Sequence, residues 1–305
     1  MSGGDNHGRQ ESFEASMSKP ERNQPRQPLS WSLPLILLLV LAILIVLQAF
    51  LKELRQPPAA PEIPVPSTRQ PGRLSKMILP FSRQSAALAI IIDDLGWSVN
   101  LAKELAQIKQ PLTLAILPFS PQAAVVAHIL RKEKNKELLL HLPLEAAGPK
   151  VCRDGGLLKV EMSPEEIREQ FEKDLKMLGE PVEGVNNHMG SLFTTDEEKM
   201  KVLLEVIKGH GLYFVDSLTA ANSCGYRLAK DMGIPCGRRD VFLDNSSNPE
   251  DIREQLRLAA DLARKNGRAI AIGHARKDTL QVLKEELPFL EQQGVKLVVV
   301  SSVLQ

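Results

Sequence analysis

From residue 86 to residue 305, short runs of consecutive apolar residues alternate with longer stretches in which apolar positions recur every three or four residues. The first pattern reads as strands covered on both faces, the habit of parallel sheets, and the second as helices lying against them. The predicted strands are LAIIIDD (88–94), LTLAILP (112–118), ELLLHLP (137–143), the segment EGVNNHMGS (183–191), LYFVDS (212–217), DVFLDN (240–245), RAIAIGH (268–274) and KLVVVSS (296–302). Helix signals fall between them. Ser98 or Asn100 caps a helix through Ala102, Leu105 and Ile108, which Pro111 closes, and Ser120 before Pro121 opens one through Val125 and Ile129. Ser163, Pro164 and Glu166 form a capping box ahead of Ile167, Phe171 and Leu175, with Gly179 as the stop. Thr195 with Glu198 caps a helix through Met200, Leu203 and Ile207, and Asn248 with Pro249 opens another. So regular an alternation predicts an α/β fold of parallel strands and crossover helices, either a barrel or an open doubly wound sheet.

The first 85 residues break this pattern. Residues 1–30 are polar and charged with a single aromatic, too little to bury a core, and are expected to be a disordered tail. Leu33 to Leu51 carries no charge and is long enough to cross a bilayer as a helix, so residues 31–51 are expected to be a single transmembrane anchor. The thirty residues ahead of it argue against a cleaved signal peptide. Residues 52–85 form a proline-rich linker, an extended spacer between that anchor and the folded domain of residues 86–305. Lys19, Arg22 and Arg26 before the span outnumber Lys52 and Arg55 just after it, which votes for an inside N-terminus. The resulting expectation is a single-pass protein of the inner membrane with its domain on the extracytoplasmic, periplasmic side.

Charge and cysteine content narrow the classes. The 38 Lys and Arg balance 37 Asp and Glu, leaving no electrostatic footprint for nucleic acid. Three cysteines, Cys152, Cys224 and Cys236, show no paired spacing for a zinc ribbon. Free buried thiols are expected, with a Cys224–Cys236 bridge as the alternative outside the cytoplasm. Neither GxGxxG nor GxxxxGK[ST] follows any strand, which argues against a nucleotide cofactor, and no GxSxG elbow marks a serine hydrolase.

Chemistry in parallel α/β folds collects at the C-terminal ends of strands. Those ends carry Asp93 and Asp94, His141, then Asn186, Asn187 and His188, then Asp216, Asp244 with Asn245, and His274. Two adjacent carboxylates repel unless a cation or proton lies between them, so the Asp93–Asp94 pair points to a metal or a base. A helix cap with a solvated neighbour is the alternative. Imidazole and carboxylate together suit a borderline divalent cation such as Zn²⁺.

The segments IIIDDLG, LLLHLPLE, GVNNHMGS, YFVDS and AIAIGHA, in this order and spacing, resemble the divergent polysaccharide deacetylase family, a YibQ-like branch of the NodB-homology superfamily (carbohydrate esterase family 4). The resemblance covers about residues 86–305 and implies a distorted (β/α) barrel of seven to eight mostly parallel strands. It also implies a hydrolase in which a divalent metal activates water to remove acetyl groups from sugars. Carried over by position, it makes Asp93 the catalytic base, Asp94 and His141 metal ligands, and His274 the general acid. The family's second metal histidine is replaced here by Glu145, so the third ligand falls to His188, with Glu145 as the alternative. Asn186 and Asn187 then bind substrate or tie down their loop, while Asp216 and Asp244 orient His274.

Aromatics make up only 4% of the chain, and Trp97 is the one tryptophan beyond residue 85. A small acylated sugar or a cell-envelope glycan in a short groove therefore fits better than a long polysaccharide. The segment from Leu144 to Met162 is long enough to form a lid over His141. A catalytically inactive protein that binds an envelope glycan or a partner, and another metal-dependent hydrolase such as a phosphoesterase, are the competing readings.

Overall fold

A computed structural model describes residues 86–148 and 155–305. The expected tail, membrane span and linker, together with Cys152, lie outside the described residues. Among the described residues no helix is long and apolar enough to cross a membrane.

The chain alternates β1 (Ala87–Leu95), α1 (Val99–Ala106), β2 (Leu112–Ile116), α2 (Ala123–Leu130), β3 (Lys136–Leu144), α3 (Pro164–Leu178), β4 (Gly184–Met189), α4 (Glu197–Gly209) and β5 (Tyr213–Asp216). It continues through α5 (Gly225–Asp231), β6 (Cys236–Arg238), β7 (Val241–Phe242), α6 (Pro249–Asn266), β8 (Arg268–His274), α7 (Lys277–Gln292) and β9 (Lys296–Val298). Every ladder between these strands is parallel, in the order β6-β5-β4-β3-β2-β1-β8-β7 with β9 added on β1. The sheet curls. Its two end strands, β6 and β7, are consecutive in sequence and joined only by Arg239 and Asp240. The result is a curled parallel-strand α/β half-barrel.

The unbroken aliphatic runs have a direct structural reason. In β1, Ala89 and Ile91 point into the barrel beside Ala115, Leu139, Val215, Ile270 and Ile272. Their neighbours Leu88, Ile90 and Ile92 point outward into the layer of helices. Both faces of β1, β2 and β3 are thus dry along most of their length, and each fully buried Leu or Ile contributes roughly 1.5–3 kcal/mol.

Local signals succeed where a side chain reaches a helix N-terminus. Ser98 accepts from the Leu101 amide, and Ser163 with Glu166 closes the capping box. Gly179 ends α3 in the left-handed region at φ 66°. Two expectations are corrected. Asp196, not Thr195, caps α4, accepting from the Glu198 and Lys199 amides, while the Thr195 hydroxyl donates to the Leu192 carbonyl. Ser120 likewise turns back to donate to the Leu117 carbonyl at 2.7 Å, and α2 begins later, at Ala123. Strand β6 and helix α5 were not predicted. The apolar run after Lys296 is strand for three residues only, because Val300–Val303 tightens into a 3-10 turn beneath the barrel. There the Val300 amide donates to the Thr113 hydroxyl and the Ser301 amide to Glu137. Cys224 and Cys236 are free, buried thiols, so the alternative disulfide is not formed.

One core group runs against its surroundings. Asp174 on α3 is fully buried; its Oδ1 accepts from Gln170 at 2.7 Å and its Oδ2 has no partner. Burial pushes its pKa up to about 8. The unfolded carboxyl ionises near the ordinary value while the folded one stays protonated, so stability is full at low pH and falls as pH rises towards 8. Asp174→Asn, which cannot ionise, is expected to gain on the wild type by on the order of 1–3 kcal/mol between pH 5 and pH 8. Urea midpoints at the two pH values check this; a gap between variant and wild type that does not change with pH would refute it.

Candidate metal centre

Strand β1 solves the problem of two neighbouring side chains that must serve one cleft. Along β1 and β2 the register runs Ile92 to Leu114 and then Leu95 to Ile116, so β1 holds one extra residue, a β-bulge. Within it Asp94 takes φ 61°, the left-handed region, and the alternation of side chains is broken. Asp93 lies beside His274 in the β1–β8 ladder. In the β3–β4 ladder His141 lies beside Asn186 and Pro143 beside His188. His188 is two residues beyond Asn186 and therefore on the same face.

Three donor atoms converge. Asp94 Oδ1 is 3.2 Å from His141 Nε2 and 3.1 Å from His188 Nδ1, and the two nitrogens are 3.2 Å apart. Tetrahedral Zn²⁺ with bonds of about 2.0–2.1 Å separates its donors by about 3.3–3.4 Å, so this near-equilateral triangle fits one face of that coordination. Asp94 Oδ1 is also buried without a hydrogen bond of its own, the state of a ligand atom aimed at a cation. Asp94, His141 and His188 form the group among the described residues able to hold a metal ion.

Asn186 sets the protonation of this cluster. Its amide nitrogen donates to Asp93 Oδ1 at 2.8 Å, which turns its oxygen to His141 Nδ1 at 2.9 Å. His141 therefore keeps its proton on Nδ1 and presents Nε2 to the triangle. Burial opposes charge on this ring, yet Asp93 and Asp94 prevail and raise its pKa to about 9. Burial likewise opposes ionisation of Asp94, but pairing with His141 and His188 holds it well below the usual carboxylate range. The pocket attracts positive charge, and a divalent cation competes with the His141 Nε2 proton for the same place. Asp93 is only 3% exposed, and burial raises its pKa.

On the other side, His274 Nδ1 faces Asp244 Oδ1 at 2.8 Å. Asp244 is fully buried and also accepts from the His274 amide and the Thr279 hydroxyl. Burial disfavours charge on the His274 ring, but Asp244 outweighs it and raises the pKa. His274 Nε2 points back to the cluster, 3.9 Å from Asp94 Oδ2, and Phe242 packs against the ring.

Glu145 and Asp216 stand elsewhere, and Asn187 takes the loop-holding alternative. Glu145 uses its carboxylate to accept the Val160 amide at 2.9 Å, pinning residues 158–160 along β3, and takes no place in the triangle. Asp216 does not reach His274; it accepts from the Leu218 and Tyr226 amides and from Ser223. Asn187 is 1% exposed and bonds the Met189 carbonyl and the Ser217 amide. These bonds share a purpose. Asp94, Met189 and Leu218 are the non-glycine residues with positive φ among those described, each at the C-terminal end of a strand bordering the cluster. Such backbone costs about 1–2 kcal/mol per residue. Asn187 and Asp216 hold the second and third of these turns, and Arg239, donating to the Ser217 and Leu218 carbonyls, braces the third. Arg239 was not anticipated, since nothing in CGRRDVF distinguishes it from a solvated arginine. A cavity of about 190 Å³ opens beside the cluster, lined by Asp94, Trp97 and Leu101 together with His274 and Arg276.

Comparison with known proteins places the chain by sequence and by fold. YibQ of Escherichia coli (strain K12) is 37% identical over 220 residues, covering 71% of this chain and 67% of that protein. A Haemophilus influenzae protein is 32% identical over 207 residues, 68% of this chain and 73% of its own length. The crystal structure of ATU2773 from Agrobacterium tumefaciens C58 superposes with a TM-score of 0.67 at 24% identity, covering 71% of this chain and 88% of that one, a likeness of fold. Residues 90–304 match the sequence model of the divergent polysaccharide deacetylases, and with relatives this similar over this span the chain belongs to that family.

Proposed function

We propose that the protein is a metal-dependent carbohydrate deacetylase that hydrolyses an acetyl group from a small acylated sugar or the end of a cell-envelope glycan. The observation that carries this reading is the Asp94–His141–His188 triangle with a free carboxylate oxygen on one flank and an imidazole on the other. A divalent ion held by those three residues, Zn²⁺ by its donor set, would supply a Lewis acid for the acetyl carbonyl and lower the pKa of water.

The chain's own groups divide the proton work. Asp93 Oδ1 is taken by the Asn186 amide, leaving Oδ2, 3.8 Å from His141 Nε2, to accept the proton of the attacking water. His274 has Nδ1 tied to Asp244, so its Nε2 carries the proton that the leaving amine or alcohol needs. Asp244 raises the pKa of His274, which favours retention of that proton. Residues 31–51 serve in this reading as the inner-membrane anchor, with the domain in the periplasm, as the uncharged run and the proline-rich spacer suggest.

Full-length protein equilibrated with Zn²⁺, Co²⁺ or Ni²⁺ and then desalted is expected to retain one ion per chain. It is also expected to release acetate from N-acetylated hexosamines, an activity lost to chelation and restored by the metal. A protein that takes up none of the three ions overturns the reading and favours a binding role. One that binds metal but releases phosphate from phosphate esters, and no acetate, belongs to another hydrolase class.

A further inference from the structure

The cavity beside the cluster has two walls of different character. One is the β1–α1 loop, which presents Trp97, 54% exposed. The backbone beneath the indole is fixed. The Leu117 amide donates to the Leu95 carbonyl and the Gln122 amide to the Gly96 carbonyl, each at 2.9 Å, and Ser98 caps α1 directly after. Gly96 makes this approach possible: at φ 117° any Cβ would meet Ser120 Oγ at 1.7 Å. A large apolar ring is thus presented to water from a fixed backbone, at a cost that packing does not explain, three residues from a proposed metal ligand. The other wall is the β8–α7 loop, where Arg276 donates from Nη1 to the Asp244 carbonyl at 2.9 Å. Among the described residues this is the one hydrogen bond of its guanidinium, so the charge and the remaining N–H groups are offered to the cavity mouth.

We infer that Trp97 and Arg276 are the substrate-recognition groups of the site: the indole carries one terminal amino-sugar ring, and the guanidinium reads an acidic group borne by that same residue. The inference rests on the deacetylase reading and names its substrate class as an acetylated, negatively charged amino sugar. Size supports a single ring at this site, because about 190 Å³ is below the roughly 300–1,000 Å³ of ordinary ligand pockets. Trp97, His274 and Arg276 line the same small cavity as Asp94, so one ring-sized ligand can meet the indole, the guanidinium and the proposed metal ligand together. Arg suits this task because its planar fork meets carboxylate or phosphate with paired hydrogen bonds. Among the described residues the Arg276 side chain meets Asp244 only at its backbone carbonyl and leaves the carboxylate to His274, so Trp97 and Arg276 act on affinity rather than on the chemical step.

The test uses full-length protein in a Trp31→Phe background, where Trp97 is the remaining indole, and three probes: N-acetylglucosamine, its 6-phosphate and its 3-O-lactyl ether. Each probe is expected to change the indole emission saturably, and at least one acidic probe is expected to bind about 10-fold or more tightly than the neutral one. Phosphate preferred over lactyl ether, or the reverse, identifies the source of the charge. Arg276→Gln is expected to abolish the preference while leaving the neutral probe within about 2-fold. By calorimetry, Trp97→Ala is expected to weaken all three by about 5–10-fold, with Trp97→Phe recovering part of the loss. Equal affinities for all three probes in the wild type, or unchanged affinities in Trp97→Ala, overturn the inference. Acetate release separates this failure from that of the parent reading. Deacetylation with a KM indifferent to both variants sinks the recognition proposal alone, whereas selective binding without any acetate release sinks the deacetylase reading alone.

Discussion

Asp94→Ala is expected to remove bound metal and, with it, acetate release. The substitution takes one vertex from a triangle of three protein ligands, so the loss of affinity should exceed the roughly 10–100-fold seen when a residue that merely orients a ligand is lost. It also leaves two imidazoles facing each other at 3.2 Å with no carboxylate between them. The backbone supplies a control. Asp94 sits at φ 61°, where alanine is strained and glycine is not. Asp94→Gly should therefore be as metal-free as Asp94→Ala and yet melt at a higher temperature, by about 1 kcal/mol of relieved strain. Metal analysis of the two purified variants, alongside their melting curves, separates loss of a ligand from loss of the fold. Retention of stoichiometric metal in both variants would remove Asp94 from the ligand set.

Asp93→Asn is expected to do the reverse. The asparagine oxygen still accepts from Asn186 Nδ2, so the bridge to His141 persists and the triangle stays assembled. An amide cannot take a proton from water at neutral pH, and acetate release should fall by about 10²–10⁴-fold with the metal content unchanged. The proton balance of the pocket shifts as well, because Asp93 is one of the two carboxylates that raise the His141 pKa. The variant should consequently bind metal at slightly lower pH than the wild type, as less proton competition remains at Nε2. If metal is lost together with activity, both carboxylates are ligands and the division of roles between them fails.

Much of this architecture is legible in the chain because burial on both faces leaves a mark. AIII in β1, LTLAI in β2 and ELLL in β3 cannot be half-exposed strands, and the first and third lead to Asp93, Asp94 and His141. Strand β6 carries no such mark, for it is three residues long, Cys-Gly-Arg, and its arginine is exposed. The helix start at Ser163 is readable from its capping box, whereas Ser98 and Asn100, like Thr195 and Asp196, are equally good caps on paper and only the path of the preceding chain selects between them. Within the site, strand ends identify which residues gather but not how they pair. Asp216 and Asp244 look alike in FVDS and FLDN, yet the first is turned into its own loop and the second beneath His274. The bulge that brings Asp93 and Asp94 to one side has no residue signature, since Asp94 adopts a conformation that many asparagines and aspartates can reach and few use. Arg239 acts at long range on a turn whose strain exists only in the folded chain.

The spacing of the three proposed ligands along the chain carries a thermodynamic consequence. Forty-seven residues separate Asp94 from His141, and forty-seven more separate His141 from His188. An unfolded chain could gather them only by closing two loops of that length, at an entropic cost of about 4 kcal/mol each. A cation therefore distinguishes folded from unfolded protein almost completely, and its binding free energy adds to the folding free energy of the whole half-barrel rather than to one loop. At a concentration 100 times its dissociation constant, the added stability is about 2.7 kcal/mol. For a domain of this size that corresponds to roughly 5–10 °C in melting temperature. The thermal midpoint thus doubles as a gauge of metal affinity, one that ranks ions and ligand variants without a known substrate.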